Sequence, residues 1–180
     1  MKNIKKQDIH IRSILQMIKH QPKTLSQIEE ENWLSKIKNI TYYSNFVPSS
    51  QNLLLIAKEA YLTGNVEILS FFERKYHFST DNDIFGKLIA KNGNLKSFIH
   101  FSKYFEKMND WKKTQILQKA IDNDNPHILV NFFQNGSIVN QHCLDELMAS
   151  CEMRFILSKK SNEWEEVLQL ITNEIEFFND

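Results

Sequence analysis

The chain has 180 residues, with 22 Lys and Arg against 22 Asp and Glu, and 42% of its residues are hydrophobic, 13 of them Phe. Balanced charge excludes a global field that would draw it onto nucleic acid or a membrane surface, and the apolar fraction excludes intrinsic disorder. With only 4 Gly and 3 Pro, the composition fits helices joined by short polar turns and not an all-β fold with glycine-rich hairpins.

The first 23 residues carry Lys2, Lys5, Lys6, Arg12, Lys19 and Lys23 against a single acid, Asp8. This start is basic but lacks an apolar core long enough for a signal peptide, and no run approaches the ~18 apolar residues of a membrane span. A cytoplasmic protein is therefore expected, with delivery into a host cytosol as the narrower alternative taken up below. Ile11, Ile14, Leu15 and Ile18 form one helical stripe. Ile28, Trp33, Leu34 and Ile37 favour a second helix between Thr24 and Ile40. In "SNFVPSSQN", residues 44–52, Pro48 stops one helix and the serines can cap the next. Residues 1–45 are thus N-terminal flanking helices.

A repeat then shows itself. Asn65, Asn94 and Asn125 serve as polar anchors. Four residues after them stand Leu69, Phe98 and Leu129, and seven after stand Phe72, Phe101 and Phe132. Five before stand Ala60, Ile89 and Ala120; nine before stand Ile56, Phe85 and Ile116. Helical spacing on both sides of a central turn defines a helix-turn-helix unit that needs its neighbours to bury its apolar face. Ala60, Ala90 and Ala120 suit a close approach of the first helices. Gly64 and Gly93 suit the left-handed position that ends a helix. In the third unit Asp124 takes that place, and Pro126 follows at the first position of the second helix, where a missing N–H is tolerated.

Two stretches, "AKNGNLKSFIHF" (90–101) and "KAIDNDNPHILVNFFQNGSIVN" (119–140), resemble the ankyrin-repeat family. The shared pattern is small residues, a turn, a second helix rich in paired apolar residues, then Gly136 and Val139–Asn140. The family's Thr-Pro-Leu-His start is absent, Tyr76 and Phe105 stand where the first two units would carry glycine, and the period is shorter than 33. Within this resemblance the short period implies trimmed or missing β-turn fingers, and the resemblance spans about residues 52–140. The fold expected is all-α: a short α-solenoid of stacked, degenerate ankyrin-like helix pairs over 49–140. Residues 141–180 form a C-terminal helical cap, all within one structural domain.

In that cap, Trp164, Val167, Leu168, Ile171, Ile175 and Phe178 predict an amphipathic helix over about 162–178, opened by an Asn162–Glu165 capping box. Residues 161–180 carry Glu163, Glu165, Glu166, Glu174, Glu176 and Asp180 and no base. Such a glutamate-rich tail, in a chain rich in Lys, Ile and Asn, resembles the type IV-secreted effectors of Legionella-like intracellular bacteria.

Signatures of chemistry are missing. No zinc pattern joins the six histidines, and no phosphate loop surrounds Gly64, Gly86, Gly93 or Gly136. Asp81, Asp83, Glu106 and Asp110 fall in expected turns without calcium-loop spacing. Cys143 and Cys151 would lie about 12 Å apart on one helix at ~1.5 Å per residue, too far to bridge, and read as buried thiols. No catalytic residue, metal ligand, cofactor or small-molecule ligand is expected. The expected partner is another protein, met by the concave side of the stack and by the turn residues Thr80, Asp81, Asn109, Asp110, Trp111, Asn140 and Gln141. Trp111 is the largest apolar side chain in a polar setting, and tryptophan is enriched at binding hot spots. "YYSNF" (42–46) poses the same question. Alternatives are an inhibitor or immunity-type protein that occludes an enzyme, an enzyme using His142, Cys143, Asp145 and Glu146, and, less favoured, a nucleic-acid binder using the basic arm.

Overall fold

A computed structural model of the chain describes residues 2–20, 27–43 and 46–179. Among the described residues there are ten α-helices, one 3₁₀ turn and no strand. The chain divides into two compact units, residues 1–80 and 81–180. The division falls inside the 49–140 segment, between its first and second helix pairs.

The first unit holds α1 (Lys2–Lys19), α2 (Gln27–Tyr43), α3 (Ser50–Thr63) and α4 (Val66–Tyr76). α3 packs on both α1 and α4, and α1 also meets α2. The Ile11, Ile14 and Ile18 stripe of α1 is buried together with Ile37, Phe46, Ile56, Ile68 and Phe72. Ser49 caps α3 by accepting a hydrogen bond from the Asn52 N–H, so the break predicted at 44–52 ends on its serine; Ser44 and Asn45, and the side chain of Tyr43, lie outside the described residues. Lys75 donates to the Thr41 carbonyl at 3.1 Å and lies 3.8 Å from the centroid of the exposed Tyr42 ring, tying α4 to α2.

The second unit holds α5 (Asp83–Asn92), α6 (Leu95–Ser102), α7 (Asp110–Asp122), α8 (Pro126–Gln134), α9 (Gln141–Leu157) and α10 (Ser161–Asn179). They form three pairs: α5 with α6, α7 with α8, and α9 with α10. The first helices lie in a row, α5 on α7 and α7 on α9, and the second helices in another, α6 on α8 and α8 on α10. Residues 141–180 are thus a helix pair placed against α7 and α8.

The register read from the sequence is the register of the core. All twelve apolar positions set by Asn65, Asn94 and Asn125 are buried. Gly64, Gly93 and Asp124 end their helices with φ of 77°, 70° and 58°. The Asn65 and Asn125 N–H groups reach back to the Ala60 and Ala120 carbonyls at 2.8 and 3.0 Å, closing the helix ends. Where glycine was missing, the first unit puts His77 at φ 49°. After α6 the chain instead turns through a 3₁₀ turn, Phe105–Lys107, and buries Phe105 among Phe98, Phe101 and Phe132. The capping box expected at Asn162 does not start α10. The helix begins at Ser161, and the Trp164 N–H already bonds the Lys160 carbonyl, which puts Asn162 inside the first turn.

Candidate functional site: the edge at the starts of α7 and α9

Asn109 opens α7. Its backbone is extended, and its side-chain oxygen accepts from the Lys112 N–H at 3.0 Å. Asp110 follows at the positive end of the helix dipole, where a carboxylate is favoured. Its Oδ1 accepts from Lys113 Nζ at 3.2 Å and its Oδ2 from the Asn140 backbone N–H at 3.1 Å. Lys113 Nζ also donates to the Ile138 carbonyl at 3.1 Å. One carboxylate and one ammonium therefore pin the 136–140 loop to the first turn of α7. Asn140 then caps α9 by accepting from the Cys143 N–H at 3.0 Å. Gln141 donates to Asp145 Oδ1 at 3.0 Å and keeps its carbonyl oxygen buried and unbonded.

Trp111 stands in the first turn of α7, one residue beyond the turn in which the sequence placed it. It is 57% exposed, and Ile138 in the pinned loop is 46% exposed. This edge thus carries two exposed apolar side chains on a backbone fixed by charge-assisted hydrogen bonds. Asn109, Asp110, Trp111, Asn140 and Gln141 come together here. Asp81 is exposed, next to Asn82, the N-cap of α5. Thr80 is buried in the first unit, its hydroxyl 2.6 Å from the Tyr61 hydroxyl and donating to Glu73 Oε1 at 2.8 Å. Its polar type suggested a tip; its hydroxyl instead meets an internal partner set that offers no surface. Sequence reading missed Lys113 and Ile138. The Asp110–Lys113 spacing of three within one helix turn was the available signal.

The opposite edge, where first helices turn into second helices, is also cross-linked. Asn125 Nδ2 donates to the Ala90 and Lys91 carbonyls at 3.0 and 3.1 Å, and His127 Nε2 lies 2.8 Å from the Gly93 carbonyl. Asp124 Oδ1 accepts from Ser158 at 2.7 Å and from the indole N–H of the fully buried Trp164 at 2.8 Å, while Lys160 Nζ bonds its carbonyl at 2.7 Å. Burial pushes the Asp124 carboxyl up, but the Ser158 and Trp164 hydrogen bonds and the Lys160 and Arg154 charges outweigh it and hold the group below its usual value.

The residues of the enzyme alternative are brought together only in part. The His142 side chain is 83% exposed, with Nε2 3.4 Å from Glu146, whereas Cys143 is buried. Cys151 is also buried, and burial, with the Glu152 charge, pushes its thiol up to about 12. A nucleophile and its base need hydrogen-bond reach of one another. Among the described residues no group of three His, Cys, Asp or Glu side chains could hold a metal ion, and no helix is long and apolar enough to cross a membrane. Of the basic arm, Arg12 and Lys19 are exposed and Lys19 lies 3.6 Å from Glu59; the side chains of Lys2, Lys5, Lys6 and Lys23 lie outside the described residues.

Comparison of the chain with protein-family models, with curated proteins and with solved structures finds no match.

Proposed function

We propose that the chain is a non-catalytic protein-interaction module, a short ankyrin-like α-solenoid that grips a partner protein along the starts of its first helices. Trp111 is the observation that carries this reading: a 57% exposed indole on a backbone whose neighbours are already locked by Asp110 and Lys113. A rigid, exposed aromatic anchor loses little entropy on binding and is the residue type that dominates interface energetics. Ile138 extends the apolar contact, and Asn109, Asn140 and Gln141 offer polar groups at its rim. The two rows of helices and the shared register of the pairs support the repeat reading. The test is affinity capture from cell lysates by the wild-type chain and by Trp111→Ala, with Phe177→Ala as a control for an exposed aromatic elsewhere. A polypeptide held by the wild type and the control and lost by Trp111→Ala supports the reading; one held equally by all three ends it.

The narrower proposal, a secreted bacterial effector acting in a host cell, rests on the glutamate-rich α10. Trp164, Val167 and Ile171 of that helix are fully buried, so deleting it would remove core. Glu163, Glu165 and Glu166 are exposed and can be changed to Gln without touching that face. A translocation assay on the triple variant decides it: loss of delivery is expected, and unchanged delivery ends the proposal.

A further inference from the structure

α9 runs nearly two turns beyond its last buried residue, Cys151. In that stretch Met153 is 62% exposed, Phe155 37%, Ile156 74% and Leu157 72%. Side chains of this size at these exposures present on the order of 400–500 Å² of apolar surface, the range of the largest patch on a monomer. Beside the patch, between α7 and α9, runs an open groove of about 450 Å³ whose apolar floor is Ile121, Ala149, Met153 and Leu157. Its polar side chains are linked to one another along one wall. Gln118 donates to Asp122 Oδ1 at 3.0 Å, Ser150 donates to Gln118 Oε1 at 3.0 Å, and Arg154 donates to the Asp122 carbonyl at 2.8 Å. The apolar floor of the groove can take an apolar side chain.

We infer that this surface pairs two copies of the chain about a two-fold axis, each seating Ile156 in the other's groove. Knob and groove lie side by side on one edge, the arrangement a self-complementary contact requires. Charge points the same way: Lys119, Arg154, Lys159 and Lys160 are balanced by Asp122, Asp124, Glu152 and Glu163. A balanced rim does not repel its own copy, whereas an anionic bilayer would be met by an excess of bases. Burying the patch on both copies removes on the order of 1,000 Å² in all, the least a specific interface needs, so a weak, reversible dimer follows.

Sedimentation of the full chain over about 1–200 μM, where weak interfaces of this size associate, tests it. The mass is expected to climb from 21.3 kDa toward twice that value. Ile156→Glu should raise the dimer dissociation constant at least about tenfold, while Phe177→Ser on α10 leaves it unchanged. A wild-type chain that stays at 21.3 kDa throughout overturns the inference, including one that instead sediments with phosphatidylserine vesicles. So does a dimer that Ile156→Glu leaves intact. Trp111 lies outside this surface, so failure here leaves the partner-binding reading standing.

Discussion

At position 124 the backbone has φ 58°, a region that costs an ordinary residue roughly 1 kcal/mol and that Asp tolerates better than most. The same residue bonds the indole N–H of Trp164, which has no exposure to water. Alanine there would face the backbone cost and leave a buried donor unpaired, for a loss of about 2–3 kcal/mol in urea unfolding. Asp124→Gly keeps the backbone and loses the bonds, about 1–2 kcal/mol, and Asp124→Asn keeps both features and should cost less than about 1 kcal/mol. The carboxyl is held below its usual value. Its ionic contribution is therefore present above the unfolded pKa of about 3.9 and lost as pH falls through the lower folded value, so the gap between wild type and Asp124→Asn should close below about pH 4. Gly86 is a second such residue. A Cβ there would collide with Ile116 Cδ1 of α7 and come within 2.7 Å of Phe101 Cε1. In an open helix Gly→Ala gains up to ~1 kcal/mol, but here overpacking should reverse the sign, to a net loss of about 1–2 kcal/mol. Ile116→Val removes the clashing methyl. It leaves Phe101 Cε1 at 2.7 Å and Ile116 Cγ1 at 2.9 Å, so it should cost about 1 kcal/mol on its own and less than that in the Gly86→Ala background, a coupling that a thermodynamic double-mutant cycle reads directly.

Helices and their register were legible because burial repeats with the helical period, and a single chain displays that period without relatives. Ile56, Ala60, Leu69 and Phe72 are buried for the same reason as Ile116, Ala120, Leu129 and Phe132: each lies on the inner stripe of its helix. The glycines at 64 and 93 were legible from conformation alone. What the anchors do was not. Asn94 caps its helix with its side chain, Asn65 donates to Thr63, and Asn125 reaches across to the end of α5. One residue type with one spacing serves three ends in three ways, and the partners of Asn125 lie on another element, which local sequence does not specify. Thr80 was misjudged on the same ground, since a polar residue near a turn looks exposed until Tyr61 and Glu73 are found around it. The candidate edge was half legible: Trp111 stood out by type, whereas the 25-residue reach from Lys113 to the Ile138 carbonyl needed the fold. The exposed end of α9 was hidden because Phe155, Ile156 and Leu157 look like core in sequence and are surface in space.

Over the whole chain, charge sums to zero while each compact unit closes its own apolar interior. In residues 81–180, hydrogen bonds link neighbouring pairs at both edges: Asp110 and Lys113 at one, Asn125 and Asp124 at the other. Such pinning favours a surface that is set before a partner arrives, and this is the economy behind binding through a rigid edge. The most direct measurement is amide hydrogen exchange on the wild-type chain, alone and saturated with the polypeptide that depends on Trp111 for capture. Added protection is expected over residues 109–113 and 138–142. Protection confined to other segments, with those two unchanged, would contradict binding at this edge.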